Sequence, residues 1–304
     1  MRCGGYSGTG IGRLVYPSRE ADKNTAGQFV PPVALSPRQT AKQTAMEGPA
    51  TTPAPASPGD KYDPAKLFSV PGLVAVVTGY PETSKSQLAA AAARIAHEIG
   101  HVNLVVANAG GTGPDLAGFL PVSPTDEKPS PAELQRHIFE HWGEDQFGRV
   151  LEVNAQAPFF TAVAFLDLLD RGNKAGNFPG VSSQVVVTAS VGSYVRAVLG
   201  KGQIPYNASK AAVNHIFKML GNLFLGYGIR ANILNPGVFP SEISAKFVFD
   251  GKTFPSAFIP AGRFGDETDI TGATLFLCSR AGAYLNGLSL LMDGGVLTMV
   301  PSTY

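Results

Sequence analysis

A tyrosine and a lysine four residues apart, Tyr206 and Lys210, have a spacing that suits acid–base chemistry. The segment that carries them, YNASKAAVNHIFKMLGNLF, has small and apolar positions at helical spacing, which places both side chains on one helix face, one turn apart. A phenol with a pKa of about 10 exchanges protons poorly at neutral pH. An ammonium group fixed one turn away favours the phenolate and would make Tyr206 a usable acid or base.

A serine hydroxyl precedes this pair at the end of an apolar run. Val185 to Val187 has the composition of a strand buried on both faces, and a small polar cluster ends the run at Ser190. A hydroxyl at that strand end could hold a carbonyl oxygen against the phenol, as carbonyl reduction and alcohol oxidation both require. An isolated Tyr-x-x-x-Lys pattern is also typical of a surface pair, so the surrounding elements must decide between the two interpretations.

Length and composition allow the chain to bury one sizeable hydrophobic core. The chain has 304 residues, 44% of them hydrophobic, and its 24 Lys plus Arg balance 23 Asp plus Glu. This balance gives no electrostatic reason to expect a nucleic acid or a charged membrane surface as partner. The two cysteines do not form a disulfide framework, and no apolar run has the length of a membrane span. We therefore expect a cytoplasmic protein without a membrane segment.

Residues 1–60 differ in composition from the rest of the chain. They are rich in Pro, Ala and Thr and show no lasting period of two or 3.6 residues, which predicts a disordered arm. Within them the segment GGYSGTGIG, Gly4 to Gly12, has the spacing of a phosphate-binding glycine turn. Such a turn needs a strand before it and a helix after it, and the flanking residues supply neither. We therefore predict a folded domain over residues 61–304 only.

Strand and helix patterns alternate through that domain. An apolar strand from Leu73 to Thr78 precedes a helix with Thr83 or Ser84 as its N-cap, and HVNLVVANAGG gives a second buried strand. The helical segment FGRVLEVNAQAPFFTAVAFLDLL then precedes the Val185 strand. Beyond the Tyr206 helix, GIRANILNPGVFPSEIS and the final segment up to Asp293-Gly294-Gly295 supply two further strands. Alternation of this kind predicts a mostly parallel sheet with helices on both faces.

The order of these motifs resembles the short-chain dehydrogenase/reductase family. The resemblance covers roughly residues 62–299 and depends on four motifs: Asn108-Ala109-Gly110, the strand-end Ser190, the Tyr206–Lys210 pair and Asp293-Gly294-Gly295. Each motif is weak alone, but the four in this order are specific. The resemblance implies a doubly wound, mostly parallel Rossmann-like sheet. It also implies an oxidoreductase that transfers a hydride between a nicotinamide cofactor and a carbonyl or secondary alcohol.

The resemblance also assigns roles to four catalytic residues. Tyr206 would give or take the proton, Lys210 would lower the pKa of Tyr206 and contact the nicotinamide ribose, and Ser190 would hold the substrate oxygen. Asn154 lies inside an otherwise apolar helix, where its amide needs partners. It could simply bond a neighbouring backbone group. The family role is sharper, since the family Asn bonds a main-chain carbonyl and holds a water on a proton relay behind the lysine.

Cofactor contacts follow from the same resemblance. Asn108 and Gly110 end the strand that resembles the fourth strand of the family, and Tyr206 and Lys210 would contact the nicotinamide ribose. Val238 and Ser241 follow Pro236-Gly237, where the family places the nicotinamide ring and a hydroxyl that bonds its carboxamide. The implied cofactor is NADP or NAD, with NADP slightly preferred, and no metal is expected. His137 and His141 are four apart in a helical segment, but no third ligand is placed by the sequence.

One departure from the family pattern is large. The strand ending at Thr78 and Gly79 resembles the first strand of the family, but the glycine turn does not follow, since Thr83 and Lys85 stand where glycines are expected. Gly110 follows Gly79 by only 31 residues, which leaves room for one helix. We therefore expect a sheet truncated to about five strands, with the Leu73 strand as an exposed edge. Either the protein evolved without the missing segment, or the sequence was assembled without an exon.

The truncation leaves two functional hypotheses open. The first is an active NAD(P)-dependent enzyme acting on a small carbonyl or alcohol by the Ser-Tyr-Lys mechanism. The second is a catalytically inactive remnant that binds a small apolar ligand or a partner chain, because the cofactor phosphate turn is missing. The family commonly pairs through the two long helices that carry Asn154 and Tyr206, so the resemblance also implies a possible homo-oligomer.

Overall fold

The computed structural model describes residues 11–15, 63–79, 84–120, 127–197, 203–244 and 258–303, with only the backbone of the first range. The strands in these ranges are β1 (Ile11–Val15), β2 (Val74–Thr78), β3 (Leu104–Ala107), β4 (Gln184–Thr188), β5 (Arg230–Pro236) and β6 (Ser289–Met292). The α-helices are α1 (Pro64–Leu67), α2 (Lys85–Glu98), α3 (Pro131–His141), α4 (Glu144–Leu151), α5 (Ala157–Ala164), α6 (Leu166–Ala175), α7 (Ile204–Leu223) and α8 (Glu267–Cys278).

The strands form one sheet in the order in which they occur along the chain. From β2 to β6 every neighbouring pair is parallel, with Val105 facing Val185 and Val187 facing Ile233 in register. All β-branched or apolar positions in the centre of β4 are buried, as expected for a strand covered on both faces. The predicted Rossmann-like sheet of five parallel strands is therefore confirmed.

The edge of this sheet differs from the expectation. β1 pairs antiparallel with β2, from Ile11 beside Thr78 to Val15 beside Val74. The prediction that the Leu73 strand would be an unpaired edge is thus wrong, because β1 bonds the main-chain groups that β2 would otherwise leave open. β1 also lies inside the arm for which we predicted disorder. Gly4 to Gly10 and the rest of that arm lie outside the described residues, and the domain boundary near residue 61 stays a prediction.

Helices cover both faces of the sheet. On one face α2, α5, α6 and α7 pack against Val76, Val105 and Val185 in the larger hydrophobic cluster. On the other face α8 packs against Leu104, Val186 and Leu234 through its buried residue Leu277. Side chains alternate between the two clusters along β2, β3, β4 and β5, as the period of two residues in a strand predicts.

Local capping signals define where the helices begin. Ser84 and Ser130 each cap a helix, and each forms a capping box with the residue three positions later, Gln87 and Glu133. The long helical segment around Asn154 is not one regular helix, since a π-helical turn over Glu152–Gln156 separates α4 from α5. Within the described ranges, no helix combines the length and the apolar character that a membrane crossing requires.

Two helical glycines allow a matched test of this packing. A β-carbon at Gly172 in α6 would lie 2.1 Å from the Val102 carbonyl oxygen and 2.8 Å from the Ser183 hydroxyl, whereas a β-carbon at Gly148 in α4 would meet nothing within 4 Å. We expect Gly172→Ala to destabilise the fold by about 2 kcal/mol. Gly148→Ala should stabilise it by about 0.5–1 kcal/mol. Urea unfolding of both variants checks this, and equal effects in the two would contradict the packing of α6 on the sheet.

Candidate active site

The turn after β4 presents the hydroxyl of Ser190. This residue caps a 3₁₀ turn over Val191–Ser193, and its Oγ accepts a hydrogen bond of 3.1 Å from the Gly192 amide. Its exposed fraction is only 8%. A β-carbon at Gly192 would lie 2.5 Å from Oδ1 of Asn207, so a glycine is needed here for the start of α7 to come close to the turn.

Helix α7 carries Tyr206 and Lys210, as predicted. The helix begins at Ile204 with Pro205 in its first turn, which is the position that proline favours. The Ser190 hydroxyl lies near enough to the Tyr206 phenol to favour its phenolate form. Lys210 is 3% exposed, its Nζ donates a hydrogen bond of 2.9 Å to the Thr188 carbonyl, and the same Nζ lies 5.8 Å from the centre of the Tyr206 ring. The structure therefore brings the three residues together.

The protonation of this group differs from the expectation. Burial raises the pKa of Tyr206 above its ordinary value, and the hydrogen bond from Ser190 only partly opposes that effect. The expected lowering of the Tyr206 pKa by Lys210 stays a prediction, because in this structure burial penalises the charged phenolate more than its neighbours favour it. Burial also lowers the pKa of Lys210, from 10.5 to about 8. At neutral pH Tyr206 is thus a neutral phenol.

Asn154 lies in the π-helical turn between α4 and α5, and both polar atoms of its side chain form hydrogen bonds. Its Nδ2 donates to the Gly111 carbonyl at 2.8 Å and to the Ser209 hydroxyl at 2.9 Å, and its Oδ1 accepts from the Gly111 amide at 2.9 Å. Ser209 in turn donates to the Tyr206 carbonyl at 2.7 Å. Asn154 therefore connects the loop after β3 to the first turn of α7, and its main-chain carbonyl partner is Gly111.

The carboxyl end of β3 lies against the same group. A β-carbon at Gly110 would come within 3.2 Å of both Lys210 Nζ and Asn154 Oδ1, which explains why a glycine follows Asn108-Ala109. Asn108 donates its amide to the Thr78 hydroxyl at 3.1 Å, and its Oδ1 accepts from the Thr188 hydroxyl at 3.0 Å. The loop after β3 and the ends of β2 and β4 thus form one edge with the catalytic candidates.

Val238 and Ser241 lie in the loop after β5. The Val238 carbonyl accepts from the Gly265 amide at 3.0 Å, and Ser241 pairs with Ser244 through their hydroxyls at 3.0 Å. The described bonds of these two residues therefore tie them to their own loop. A nicotinamide role for them stays a prediction.

Sequence reasoning missed two residues of this site, Thr188 and Ser209. Thr188 supplies the carbonyl for Lys210 and a hydroxyl for Asn108, and it lies two positions before Ser190 on the same strand end. Ser209 lies three positions after Tyr206, and this helical spacing could have identified it as a neighbour of the Tyr206 backbone.

The family pattern has a phosphate-binding glycine turn between β2 and α2, and the sequence of this chain lacks it. β2 ends before Gly79, residues 80–83 lie outside the described residues, and Ser84 then caps α2. Lys85, which stands at an expected glycine position, places its Nζ 4.0 Å over the ring of Phe160. No described residue forms a glycine turn at this edge, and we assign no residue to the cofactor pyrophosphate.

An open groove of about 970 Å³ lies between α2, α3, α4 and α5 and includes Gly111 in its wall. His137 and His141 also line it, and the His137 ring stacks between Phe119 at 3.9 Å and His141 at 4.5 Å. Among the residues with described side chains, no group of three His, Cys, Asp or Glu residues is arranged to hold a metal ion. The histidine pair belongs to an aromatic stack.

Comparisons with known proteins agree with this architecture. Residues 130–297 match the family model described as enoyl-(acyl carrier protein) reductase. The chain is 37% identical over 241 residues to the short-chain dehydrogenase/reductase SAT3 of Stachybotrys chartarum, covering 73% of this chain and 85% of that protein. It is 29% identical over 234 residues to 5-keto-D-gluconate 5-reductase of Escherichia coli, covering 75% of this chain and 78% of the relative.

A solved structure shows the same fold. The gluconate 5-dehydrogenase from Burkholderia cenocepacia in complex with NADP and tartrate superposes with a TM-score of 0.54 at 25% identity, covering 73% of this chain and 74% of that one. Together the family model, the relatives and the parallel sheet define an α/β oxidoreductase. This chain belongs to the short-chain dehydrogenase/reductase family.

The buried charge of Lys210 gives a prediction about stability. The pKa of Lys210 falls from 10.5 to about 8 on folding. Below pH 8, keeping the buried lysine charged therefore lowers the free energy of unfolding by about 3 kcal/mol. This cost disappears as the pH rises from 8 toward 10.5, because only the unfolded chain then keeps the proton. Lys210→Met should therefore stabilise the protein at pH 7 and flatten the rise of stability between pH 8 and 10.

Urea unfolding across that pH range measures the effect. Lys218→Met, at an exposed position of the same helix, is the matched control and should change neither quantity. Equal stability curves for Lys210→Met and the wild type would contradict the burial of a charged Lys210.

Proposed function

We propose that this chain transfers a hydride between a nicotinamide cofactor and a carbonyl or secondary alcohol by a Ser-Tyr-Lys mechanism. The observation that carries the proposal is the placement of the Ser190 hydroxyl beside the Tyr206 phenol, one helical turn from a buried Lys210. Asn154 completes the group through Gly111 and Ser209. A hydroxyl, a phenol and an ammonium group gathered between the end of β4 and the start of α7 are the set that carbonyl reduction and its reverse require.

Proton transfer in the direction of reduction follows from the state of Tyr206. A phenol whose pKa is raised by burial keeps its proton at neutral pH and can donate it to a carbonyl oxygen as negative charge develops there. Ser190 would hold that oxygen and then donate its hydrogen bond to the phenolate that remains. This is the same interaction that opposes the burial effect on the Tyr206 pKa.

The residues present fit the nicotinamide end of a cofactor better than its phosphate end. Lys210 lies beside Gly110 and would bond the ribose, and Val238 with Ser241 would border the nicotinamide. Bound there, the cofactor supplies the hydride. NADP is the preferred form, supported by the NADP complex of the Burkholderia gluconate 5-dehydrogenase. Without an assigned phosphate turn, we expect weak cofactor binding.

The substrate is proposed to be a small carbonyl compound or alcohol. The name of the Escherichia coli relative makes 5-keto-D-gluconate a suitable first probe. The alternative of an inactive remnant is not favoured, because the relatives are named as dehydrogenases and reductases and the catalytic candidates are in contact. Cytoplasmic location and self-association remain predictions. Met219 and Leu223 on α7 and Val163 on α5 are exposed, which supports a subunit contact through the two long helices.

Removing the phenol hydroxyl tests the proposal. Purified full-length chain is assayed with NADPH and 5-keto-D-gluconate, together with a panel of simple ketones, by the loss of reduced-cofactor absorbance. Tyr206→Phe should lower kcat/KM by about 10³-fold, since it removes the proton donor. Tyr227→Phe, at a tyrosine that is 54% exposed, should leave it unchanged.

Cofactor binding separates the two hypotheses. A fluorescence titration with NADPH should saturate in the wild type and in Tyr206→Phe, and it should weaken in Lys210→Ala. No saturable change at millimolar NADPH, together with no turnover of any ketone in the panel, would contradict the enzyme and point to the remnant.

A further inference from the structure

A buried polar network lies behind the active-site turn, between α7, β5 and β6. Asn214 on α7 is 6% exposed and Asn235 on β5 is fully buried. Ser289 on β6 and Tyr194, just after the Ser190 turn, complete the set. Polar side chains in such a place are costly unless they bond one another, so their arrangement is expected to be specific.

The first three residues form a closed ring of hydrogen bonds. Asn214 Nδ2 donates to Asn235 Oδ1 at 3.0 Å, Asn235 Nδ2 donates to Ser289 Oγ at 3.0 Å, and Ser289 Oγ donates to Asn214 Oδ1 at 3.1 Å. Each residue is thus both donor and acceptor. The ring joins one helix and two strands. A sliding movement of α7 along the sheet would therefore break at least one of the three bonds.

Tyr194 attaches the active-site turn to this ring. Its hydroxyl lies 2.7 Å from Ser289 Oγ. The only hydrogen of Ser289 goes to Asn214, so Tyr194 must be the donor of this bond. Ser193 adds a bond of 3.4 Å from its hydroxyl to Asn235 Oδ1.

The C-terminal residues hold the same turn from its other side. The Thr303 amide donates to the Tyr194 carbonyl at 2.8 Å, and the Arg196 amide donates to the Pro301 carbonyl at 2.8 Å. These bonds form a short antiparallel bridge between Val195 and Ser302. Tyr194 is therefore fixed through its side chain and its backbone.

The network connects the turn of Ser190 to the helix that carries Tyr206 and Lys210. On one side, the Tyr194 amide bonds the Val191 carbonyl in the turn that Ser190 begins. On the other side, Asn214 lies one helical turn after Lys210 and two turns after Tyr206. The position of the Ser190 hydroxyl relative to the Tyr206 phenol thus depends on bonds made at Ser289 and Asn214.

We propose that Tyr194 is a positioning residue, which holds the Ser190 hydroxyl against the Tyr206 phenol through Ser289 and the Asn214–Asn235 pair. Its importance for catalysis rests on the proposed function. The positioning itself is a structural property and can be measured without turnover.

The test measures the effect of the Ser190 hydroxyl on the ionisation of the Tyr206 phenol. Difluorotyrosine replaces Tyr206 in the full chain, because its phenol ionises at lower pH where the protein stays folded, and fluorine NMR follows its titration. Loss of the Ser190 hydrogen bond removes a group that favours the phenolate, so Ser190→Ala should move the midpoint to higher pH. Tyr194→Phe should produce most of that same movement.

Three further variants make the result specific. Ser289→Ala removes the hydroxyl that β6 contributes to the network, and it should act like Tyr194→Phe. The double variant Ser190→Ala with Tyr194→Phe should move the midpoint no further than Ser190→Ala alone, since both remove one interaction. Tyr284→Phe, at a tyrosine that is fully exposed, should leave the midpoint unchanged. Circular dichroism and thermal unfolding check that each variant is folded.

Two results would overturn the proposal in distinguishable ways. A movement in Ser190→Ala, without one in folded Tyr194→Phe and Ser289→Ala, would remove the positioning role and leave the proposed function intact. No movement in Ser190→Ala itself would mean that Ser190 does not bond Tyr206, and both the positioning role and the proposed mechanism would fail together.

Discussion

The burial of one ammonium group organises this active site. Lys210 is almost fully removed from water, and its Nζ bonds the Thr188 carbonyl at the end of β4. An ammonium group without such an acceptor would be far more costly to bury. The bond therefore fixes how α7 lies on the sheet, and with it the position of Tyr206 one turn earlier. Gly110 leaves the space that the lysine needs, and Asn154 holds the adjacent loop.

The sheet supports this arrangement although the chain lacks the glycine turn and strands that the family pattern leads one to expect. The catalytic candidates lie in the turn after β4, on α7 and in the π-helical turn between α4 and α5, and residues of these elements belong to the larger hydrophobic cluster. The missing segment would precede β3. The site proposed to hold the substrate oxygen is thus built from a part of the fold that the truncation leaves in place. The missing segment would affect the binding of the cofactor phosphates most.

The sequence predicted the parts of this structure that depend on local patterns. Ser190, Tyr206 and Lys210 could be placed because a strand end and a helical spacing determine them. Ser84, one of the two N-cap candidates for α2, could be named because capping depends on neighbouring residues. The antiparallel β1 could not be predicted, since five residues in a polar arm give no signal of their partner. The raised pKa of Tyr206 depends on burial in the assembled fold. The Tyr194–Ser289 bond joins residues 95 positions apart, which no local pattern reports.

The proposed transfer of a hydride to a carbonyl carbon beside Tyr206 can be followed with an isotope label. The full chain is incubated with 5-keto-D-gluconate, or another ketone that it consumes, and with NADPH carrying deuterium at the transferable position of the nicotinamide. Hydride transfer should give an alcohol product with one deuterium on the former carbonyl carbon. A reduced product without deuterium, or no product from any ketone at saturating cofactor, would contradict it.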